Sequence, residues 1–522
     1  MKFYSTSVAR VTRSGKRYSM FHAVTVPLAG FSLAPLLANA FEVEGDVDID
    51  AFDGSEGKRD RETSGNNNDD DAPPTKRQAI QVIPTLNTHI TSSTPGSDNT
   101  SSDSVPEDNE VSAANKKAAK AAKKKNRKRG HKKAKKQREF STSGQKPRAD
   151  DVKKYVPSTS TPLPTAVSFD TLPVASTGYE GAAKGSSTSR KGRRSLAKVL
   201  AMKKHKYYAW DGVTPVVFTH PVTNEICFAG VGQPGTAGYT RAHRDACNAI
   251  FEAGQKAHFT KDQTDHKRGK DFGALNVGIL WGHGPTEPYN LRNGSRHDSM
   301  LEELLANEDV QHLAHFQSSA FNMFLPNMYE KYHGLRIDLE RARPKLRWNF
   351  PQSVFSAAAF NFGPQTVTSP HRDCMNLPSG FCAITALGDF NPKLGGHLVI
   401  DELGIIIEFP PGSCVLLPSA VCTHWNTDIQ PGETRLSFTQ FTSGALFRYA
   451  DNGYRTEGQL KAYSKQLYND VMARKATRWE EDIKLWNTLD DIFIRAELKV
   501  TGTVEGRHYE EDHDSEDSGS DA

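Results

Sequence analysis

The chain has 522 residues, a net charge of +4, a hydrophobic share of 36% and a mean hydropathy of -0.60. This length can hold several domains, but the low hydrophobic share excludes a packed core that extends through the whole chain. The six cysteines include no C-x-x-C pair, which excludes a zinc ribbon and argues against a dense disulfide scaffold.

The first 41 residues contain no acid, carry Lys2, Arg10, Arg13, Lys16 and Arg17, and then become apolar up to an A-x-A sequence at 38–40. This pattern is typical of a secretory or mitochondrial targeting segment. Prolines interrupt the apolar run at positions 27 and 35, so we expect no membrane span.

Residues 42–204 are rich in Ser, Thr, Pro, Asn, Asp and Lys and lack apolar periodicity, which predicts a disordered region. Within it, residues 116–138 hold 14 Lys or Arg in 23 residues with no acid, and further basic residues follow in 190–206. Such an arm favours contact with the phosphates of DNA and nuclear import; a tail that is merely solvated is the alternative.

Residues 205–350 alternate strand-like runs with helical patterns. Strands are predicted near 216 and 226 and at 274–282, and helices at 298–334 with a break near Pro326. A first His-Arg-Asp triplet, His243 to Asp245, lies in a predicted helix, where residues two apart point roughly 200° away from each other. We therefore expect no shared metal ion at His243 and Asp245.

Residues 351–450 are short β-type runs separated by Gly, Pro, Asn and Asp, the pattern of a jelly roll. A second His-Arg-Asp triplet, His371 to Asp373, ends one of these runs, and in an extended chain its outer side chains share a face. His424 follows 51 residues after Asp373, and Arg435 and Ser437 share one face of the next strand. His397, only 24 residues after Asp373, is a competing third ligand.

This pattern of H-x-D, a distal His and an Arg about a dozen residues later resembles the Fe(II) and 2-oxoglutarate-dependent dioxygenases. More narrowly, HRDCMN at 371–376 and PGETRLSF at 431–438 look like the Tet/J-binding-protein branch, and most like its fungal members that accompany mobile elements. The branch oxidises methyl groups on DNA bases.

The resemblance implies that His371, Asp373 and His424 bind Fe(II) and that Arg435 with Ser437 binds 2-oxoglutarate. It implies that Asn376 contacts the flipped base, although Met375 stands where the family has a neighbouring His. A turn residue is the alternative for Asn376. Zinc in a cupin-like site is the alternative for the three ligands.

The fold expected is α+β, with a double-stranded β-helix (jelly-roll) core, N-terminal flanking helices and a long disordered N-terminal region. Its parts are a targeting segment at 1–41, a disordered basic region at 42–204, an α/β flanking part at 205–350, the β-helix core at 351–450, C-terminal helices at 451–500 and an acidic disordered tail at 501–522.

The function expected is oxidation of a methylated base, 5-methylcytosine or similar, by a nuclear enzyme that binds DNA. No specific protein partner is predicted. The same chemistry on a protein or small molecule, or an inactive nucleic-acid-binding protein of mobile-element origin, are the alternatives. A working targeting segment would instead send the protein to mitochondria or the secretory route.

Overall fold

The structure is a computed structural model that describes residues 10–11, 17–18, 108–147, 149–159, 162–183, 194–266, 268–282, 284–496, 498–501 and 508–511. The chain divides into two units, 1–103 and 104–522. In the first unit the described residues form one ladder between β1 (Arg10–Val11) and β2 (Arg17–Tyr18). The rest of the predicted targeting segment lies outside the described residues.

The second unit contains a nine-stranded sheet in the order β10-β9-β11-β17-β12-β15-β6-β5-β3. Every neighbouring pair in it is antiparallel except β3 with β5. Its strands are β3 (Leu163–Pro164), β5 (Val216–Thr219), β6 (Ile226–Gly232), β9 (Ala274–Leu280), β10 (Tyr289–Asn290), β11 (Ala357–Asn361), β12 (Cys382–Asp389), β15 (Cys414–Leu417) and β17 (Thr434–Phe441).

A smaller sheet has four strands in the order β16-β13-β14-β4. Its strands are β4 (Lys206–Tyr208), β13 (Leu398–Ile400), β14 (Ile405–Ile407) and β16 (His424–Asn426). β13 and β14 consist of Leu, Val and Ile, residues that pack well on a pleated surface. Two hairpin ladders complete the strands: β7 (Asp265–His266) with β8 (Gly269–Lys270), and β18 (Leu498–Thr501) with β19 (His508–Glu511).

Helices precede and follow the strands β11 to β17 in the sequence. Their bounds are Asp108–Ser143, Ala149–Tyr155, Leu196–Ala201, Ala237–Lys256, Lys261–Thr264, Ser295–Ala306, Glu308–Phe324, Pro326–Ala342, Gly444–Asp451, Glu457–Tyr463, Lys465–Ala473, Arg478–Ile483 and Leu489–Arg495. The predicted break near Pro326 is confirmed, because Pro326 opens a new helix. Proline is tolerated at the first position of a helix, where its missing N–H has no intrahelical partner to lose.

The helix Glu308–Phe324 packs on one face of the nine-stranded sheet. Its Gln317 amide donates to Thr385 Oγ1 of β12 at 2.8 Å, and Leu313 belongs to the same apolar cluster as Leu436 and Phe438 of β17. Because side chains alternate along a strand, the residues of β17 between these apolar ones face the opposite side of the sheet. That alternation directs Arg435 and Ser437 away from the helix.

The mixed α/β architecture with its large antiparallel sheet is consistent with the predicted jelly roll. The β-structure is not confined to 351–450, however, because β5, β6 and β9 come from residues 216–280 and lie in the same sheet as β12 and β17. The strands predicted near 216 and 226 and at 274–282 thus join the sheet of residues 351–450, a pairing that alternation within one strand does not reveal.

The prediction of disorder is wrong for parts of 42–204. Phe140, Val156, Val167, Leu172 and Tyr179 are buried, and the segment 116–138 is part of the helix Asp108–Ser143. These apolar residues are isolated in polar sequence and give no periodicity, so only the tertiary contacts reveal them. Residues 42–107 lie outside the described residues. In the predicted acidic tail, 508–511 forms a strand, and residues 502–507 and 512–522 also lie outside.

Among the described helices, none combines the length and the apolar character needed to cross a bilayer.

Candidate metal centre

Two histidines from distant parts of the chain meet as a backbone pair. The amide of His371 donates to His424 O at 3.2 Å, and the amide of His424 donates to His371 O at 2.9 Å. Residues directly opposite in an antiparallel pair place their side chains on the same face. The two imidazole rings accordingly lie side by side, with centroids 4.3 Å apart.

Asp373 joins this pair from the turn that follows His371. Its amide donates to Ser419 O at 2.9 Å, which fixes the turn beside the chain that leads into β16. One carboxylate oxygen lies 3.9 Å from His371 Nε2 and the other 3.8 Å from His424 Nε2. The structure therefore brings together the three predicted ligands, and their candidate ligand atoms lie within 4.8 Å of one another.

Backbone carbonyls orient both imidazoles in the same way. His371 Nδ1 lies 2.8 Å from Ser369 O, and His424 Nδ1 lies 3.0 Å from Cys422 O. A carbonyl can only accept, so each Nδ1 carries the proton and each Nε2 keeps a free lone pair. Histidine ligands of protein metals are commonly oriented by such a bond on the other ring nitrogen.

The protonation states suit a metal cation. Burial, and then the neighbouring His424, lower the pKa of His371 to about 3, so this imidazole is neutral at neutral pH. Burial raises the pKa of Asp373, but the neighbouring His371 and His424 and the cation of Arg268 together lower it below its ordinary value. His371 therefore offers a neutral nitrogen and Asp373 a carboxylate to a cation.

Arg435 provides a second, separate feature of the site. Its side chain is 1% exposed, Nη1 donates to Thr366 O at 2.9 Å, and Nε has no partner. Among the described residues no carboxylate pairs with the guanidinium, and burial lowers its pKa to about 10. It still carries its charge at neutral pH. A buried, unpaired cation is costly, so this position fits an anionic ligand.

Polar groups accompany Arg435 on the same strand face and on the neighbouring chain. Ser437 Oγ accepts from Asn361 Nδ2 at 2.8 Å, and Thr366 Oγ1 is buried without a partner. Thr366 therefore has a free hydroxyl donor, while its carbonyl accepts from Arg435. Thr366 and Asn361 could not be predicted from the sequence, because neither belongs to a recognisable motif.

The residues present fit Fe(II) and 2-oxoglutarate. Two imidazoles and one carboxylate are the donor set of a non-haem Fe(II) site that leaves further coordination positions open. Zinc also accepts three such ligands. The buried cation of Arg435 is the feature that a zinc site does not need, whereas a cosubstrate with a distal carboxylate does.

The first His-Arg-Asp triplet does not form a site. His243 and Asp245 lie in the helix Ala237–Lys256, where Asp245 faces Arg241 at 3.9 Å and His243 packs beside Tyr239. This divergence on a helix is what the sequence predicted. In the part of the chain that the structure describes, neither residue belongs to a cluster of metal-binding side chains.

His397 is excluded as the third ligand by the register of the small sheet. Ile400 pairs with His424 and Val399 with Trp425, so His397, two residues before Val399, shares the face of Trp425 and not that of His424. Its Nδ1 lies 2.9 Å from Thr427 Oγ1 and its ring contacts Tyr207.

Burial keeps two histidines outside the metal centre neutral and so makes stability depend on pH. It lowers the pKa of His315 and of His397 from 6.5 to about 4. The unfolded chain takes up these protons below pH 6.5 and the folded chain does not, so the free energy of unfolding should decrease as the pH falls from 6.5 to 4. Urea titrations of the metal-free protein at several pH values would measure this decrease in the free energy of unfolding. His315→Gln should make the decrease smaller; a free energy that is constant over this range would contradict the prediction.

Asn376 makes internal contacts. It is 9% exposed, its Nδ2 donates to Ser419 Oγ at 3.0 Å, and its amide donates to Asp373 O at 2.8 Å. These bonds stabilise the turn that carries Asp373, as expected if Asn376 is a turn residue. A contact with a base would have to use the remaining oxygen of the side chain.

A scan against protein-family models finds no match for the chain, and a search of the curated proteins finds no relative. Solved structures that overlap with it include NgTET1 in complex with 5mC DNA, with 14% identity and a TM-score of 0.28, over 46% of this chain and 82% of that one. A 2OG-Fe(II) oxygenase-family oxidoreductase from Burkholderia pseudomallei has 15% identity and a TM-score of 0.22, over 38% and 78%. OsALKBH1 has 13% identity and a TM-score of 0.20, over 38% and 93%. The function of the chain therefore has to be inferred from the residues of its site.

Proposed function

We propose that the chain is an Fe(II)- and 2-oxoglutarate-dependent dioxygenase that oxidises the methyl group of a methylated nucleic-acid base such as 5-methylcytosine. The observation that carries the proposal is the convergence of His371, Asp373 and His424 in a structure that also buries the unpaired cation of Arg435. The first feature suits the metal and the second suits the dicarboxylate. A metal site without a cosubstrate leaves Arg435 unexplained.

When bound, Fe(II) and 2-oxoglutarate supply a reaction in which O₂ converts 2-oxoglutarate to succinate and CO₂ and adds one oxygen atom to a substrate C–H bond. The residues of the protein position the metal and the cosubstrate. His371 and His424 present their Nε2 lone pairs because their Nδ1 protons are held by backbone carbonyls. Arg435 holds the distal carboxylate of the cosubstrate through its free Nε–H, beside the hydroxyl of Ser437.

The substrate class rests on two features of the sequence. The stretch HRDCMN at 371–376 resembles enzymes that act on DNA bases, and the segment 116–138 concentrates positive charge. In the structure that segment lies in a helix whose C-terminal end is anchored: Phe140 O accepts from His333, and Arg336 lies 4.6 Å from the Phe140 ring. Exposed lysines of this helix, such as Lys123 and Lys132, are thus available to a phosphate backbone. The concentration of positive charge also leads us to propose a nuclear location.

Neutralising exposed lysines of this helix should weaken DNA binding about equally for all sequences. Phosphate contacts release counterions, so each lost contact should reduce the slope of log affinity against log salt by about 0.9. The variant changes five exposed lysines to Gln: Lys123, Lys124, Lys125, Lys132 and Lys133. Its matched control changes five exposed lysines elsewhere: Lys256, Lys261, Lys345, Lys393 and Lys465. Equal salt slopes in the two variants would show that the helix does not bind DNA.

The proposal is tested by incubating the purified chain with Fe(II), 2-oxoglutarate and O₂ together with methylated or unmethylated DNA, and digesting the DNA to nucleosides for mass spectrometry. We expect an oxidised methyl nucleoside and an equal amount of succinate only with the methylated DNA. Succinate formation that ignores DNA but responds to a protein or small-molecule substrate would keep the chemistry and overturn the substrate. The absence of succinate under all conditions would overturn the proposal that the chain is a 2-oxoglutarate-dependent enzyme.

A further inference from the structure

A short hairpin, β7 with β8, is attached to the chain just before the first metal ligand. The amide of Ser369, two residues before His371, donates to the carbonyl of Arg268 at 2.7 Å. The neighbouring Gly269 forms a bridge with Thr368. Backbone bonds therefore fix the position of Arg268 relative to the metal ligands.

Packing also holds this hairpin in place. A Cβ atom on Gly269 would lie 2.5 Å from the Phe272 ring and 2.9 Å from the carbonyl of Val367, so the backbone approaches as closely as glycine allows. The ring of His266 lies edge-on to Phe272, with centroids 4.8 Å apart. The hairpin is thus a packed part of the site and not a free loop.

Arg268 is half-buried, and its carbonyl is bonded two residues from the first metal ligand. No carboxylate among the described residues pairs with Arg268, whereas Lys270 in the same hairpin lies 3.4 Å from Asp265. Asp373 offsets only part of the combined charge of a dication and the Arg268 cation, so the site favours a further anion beside them.

One anion of the proposed reaction already has a partner, because Arg435 is assigned to the distal carboxylate of 2-oxoglutarate. The nucleic-acid backbone is an anion of the same reaction for which no partner has yet been assigned. A base that leaves the stack stays attached to its own sugar and phosphates, so these phosphates arrive at the mouth of the site with it. We propose that Arg268 binds a backbone phosphate next to the nucleotide whose base enters the metal site. This inference rests on the proposed function and assigns a substrate contact to the same site.

The test uses the full chain loaded with Mn(II) without O₂, so that binding is measured and no reaction occurs. Fluorescence anisotropy of a labelled methylated DNA is recorded at several salt concentrations. Arg268→Ala should weaken binding by about tenfold or more, as the loss of a hydrogen bond to a charged group does, and should reduce the salt slope by about one. Arg268→Lys should recover much of the affinity, because a phosphate accepts a point charge.

The matched control is Arg347→Ala, which removes an exposed arginine that lies 3.7 Å from Glu302, and it should bind DNA like the wild type. A second readout excludes a merely structural effect: with a like charge removed, Arg268→Ala should bind Mn(II) at least as tightly as the wild type, while a distorted site would bind it less tightly.

Three outcomes would overturn the assignment. Equal DNA binding by the wild type and Arg268→Ala would overturn it and leave the proposed function intact. If calorimetry shows that Arg268→Ala loses 2-oxoglutarate affinity while its DNA affinity is unchanged, Arg268 binds the cosubstrate and not a phosphate. A wild-type chain that binds 2-oxoglutarate but no DNA would overturn the proposed substrate, and this contact with it.

Discussion

Replacing Arg435 with Ala is expected to weaken 2-oxoglutarate binding to the metal-loaded protein by roughly 10²- to 10³-fold. The guanidinium is 1% exposed and has a free Nε–H, so a carboxylate that pairs with it is also removed from water. Breaking one side of such a buried pair typically costs about 3 to 5 kcal/mol. Calorimetric titration of 2-oxoglutarate into the anaerobic, Mn(II)-loaded protein would measure the loss.

Two further results should accompany this loss. Metal affinity should stay the same, because Arg435 is not among the clustered ligand atoms. Arg435→Lys should recover only part of the affinity, since an ammonium group cannot reproduce the planar pair of donors. If Arg435→Ala binds the cosubstrate as well as the wild type does, the buried cation serves the fold alone, and a metal site without a cosubstrate becomes the better interpretation.

The second large effect is expected at the carboxylate of the metal centre. Asp373→Ala should reduce the affinity for a divalent metal by more than about 100-fold and remove activity, because it leaves two neutral imidazoles to hold a dication. Equilibrium dialysis against Mn(II) or Fe(II), with the bound metal measured directly, is the appropriate measurement.

The chain contains its own control for this substitution. Asp245→Ala removes the acid of the other His-Arg-Asp triplet, which is half-buried on a helix beside Arg241. It should bind metal and 2-oxoglutarate like the wild type. Equal metal loss in both variants, or retention of metal in Asp373→Ala, would disprove the proposed role of Asp373.

The sequence contained enough information to bring the three candidate ligands together. His371 and Asp373 lie at the end of an extended run, where residues two apart share a face. The pattern around His243 is helical, and on a helix residues two apart point in different directions, so Asp245 is separated from His243. The sequence favoured His424, but excluding His397 required the register of the small sheet, in which His397 occupies the opposite face. Spacing along the chain cannot supply that register.

Other features depended on contacts between distant residues. β6 and β9 pair with β15 and β11, so strands from both sides of residue 350 form one sheet, which alternation within each strand does not reveal. Tyr179 was assigned to disorder because its neighbours are polar and small. Its hydroxyl donates to Asp451 at 2.5 Å and its ring packs against Arg478, two residues more than 270 positions away.

Part of the candidate site also had no sequence signal. Arg268 belongs to a basic stretch without a motif, and its importance follows only from the bond between Ser369 and its carbonyl. Asn376 was singled out by resemblance, and its side-chain Nδ2 donates to Ser419 Oγ. A motif gives the residue types, while the hydrogen bonds decide which groups are left to meet a ligand.

The central claim is that one site holds both a divalent metal and 2-oxoglutarate. Its most direct test is anaerobic calorimetry of 2-oxoglutarate binding to the wild-type chain, with Mn(II) and after removal of all metal. We expect clear binding with the metal and binding weaker by at least about tenfold without it, because the ligand would then be held by Arg435 and its neighbours alone. Equal binding in both conditions, or none in either, would contradict it.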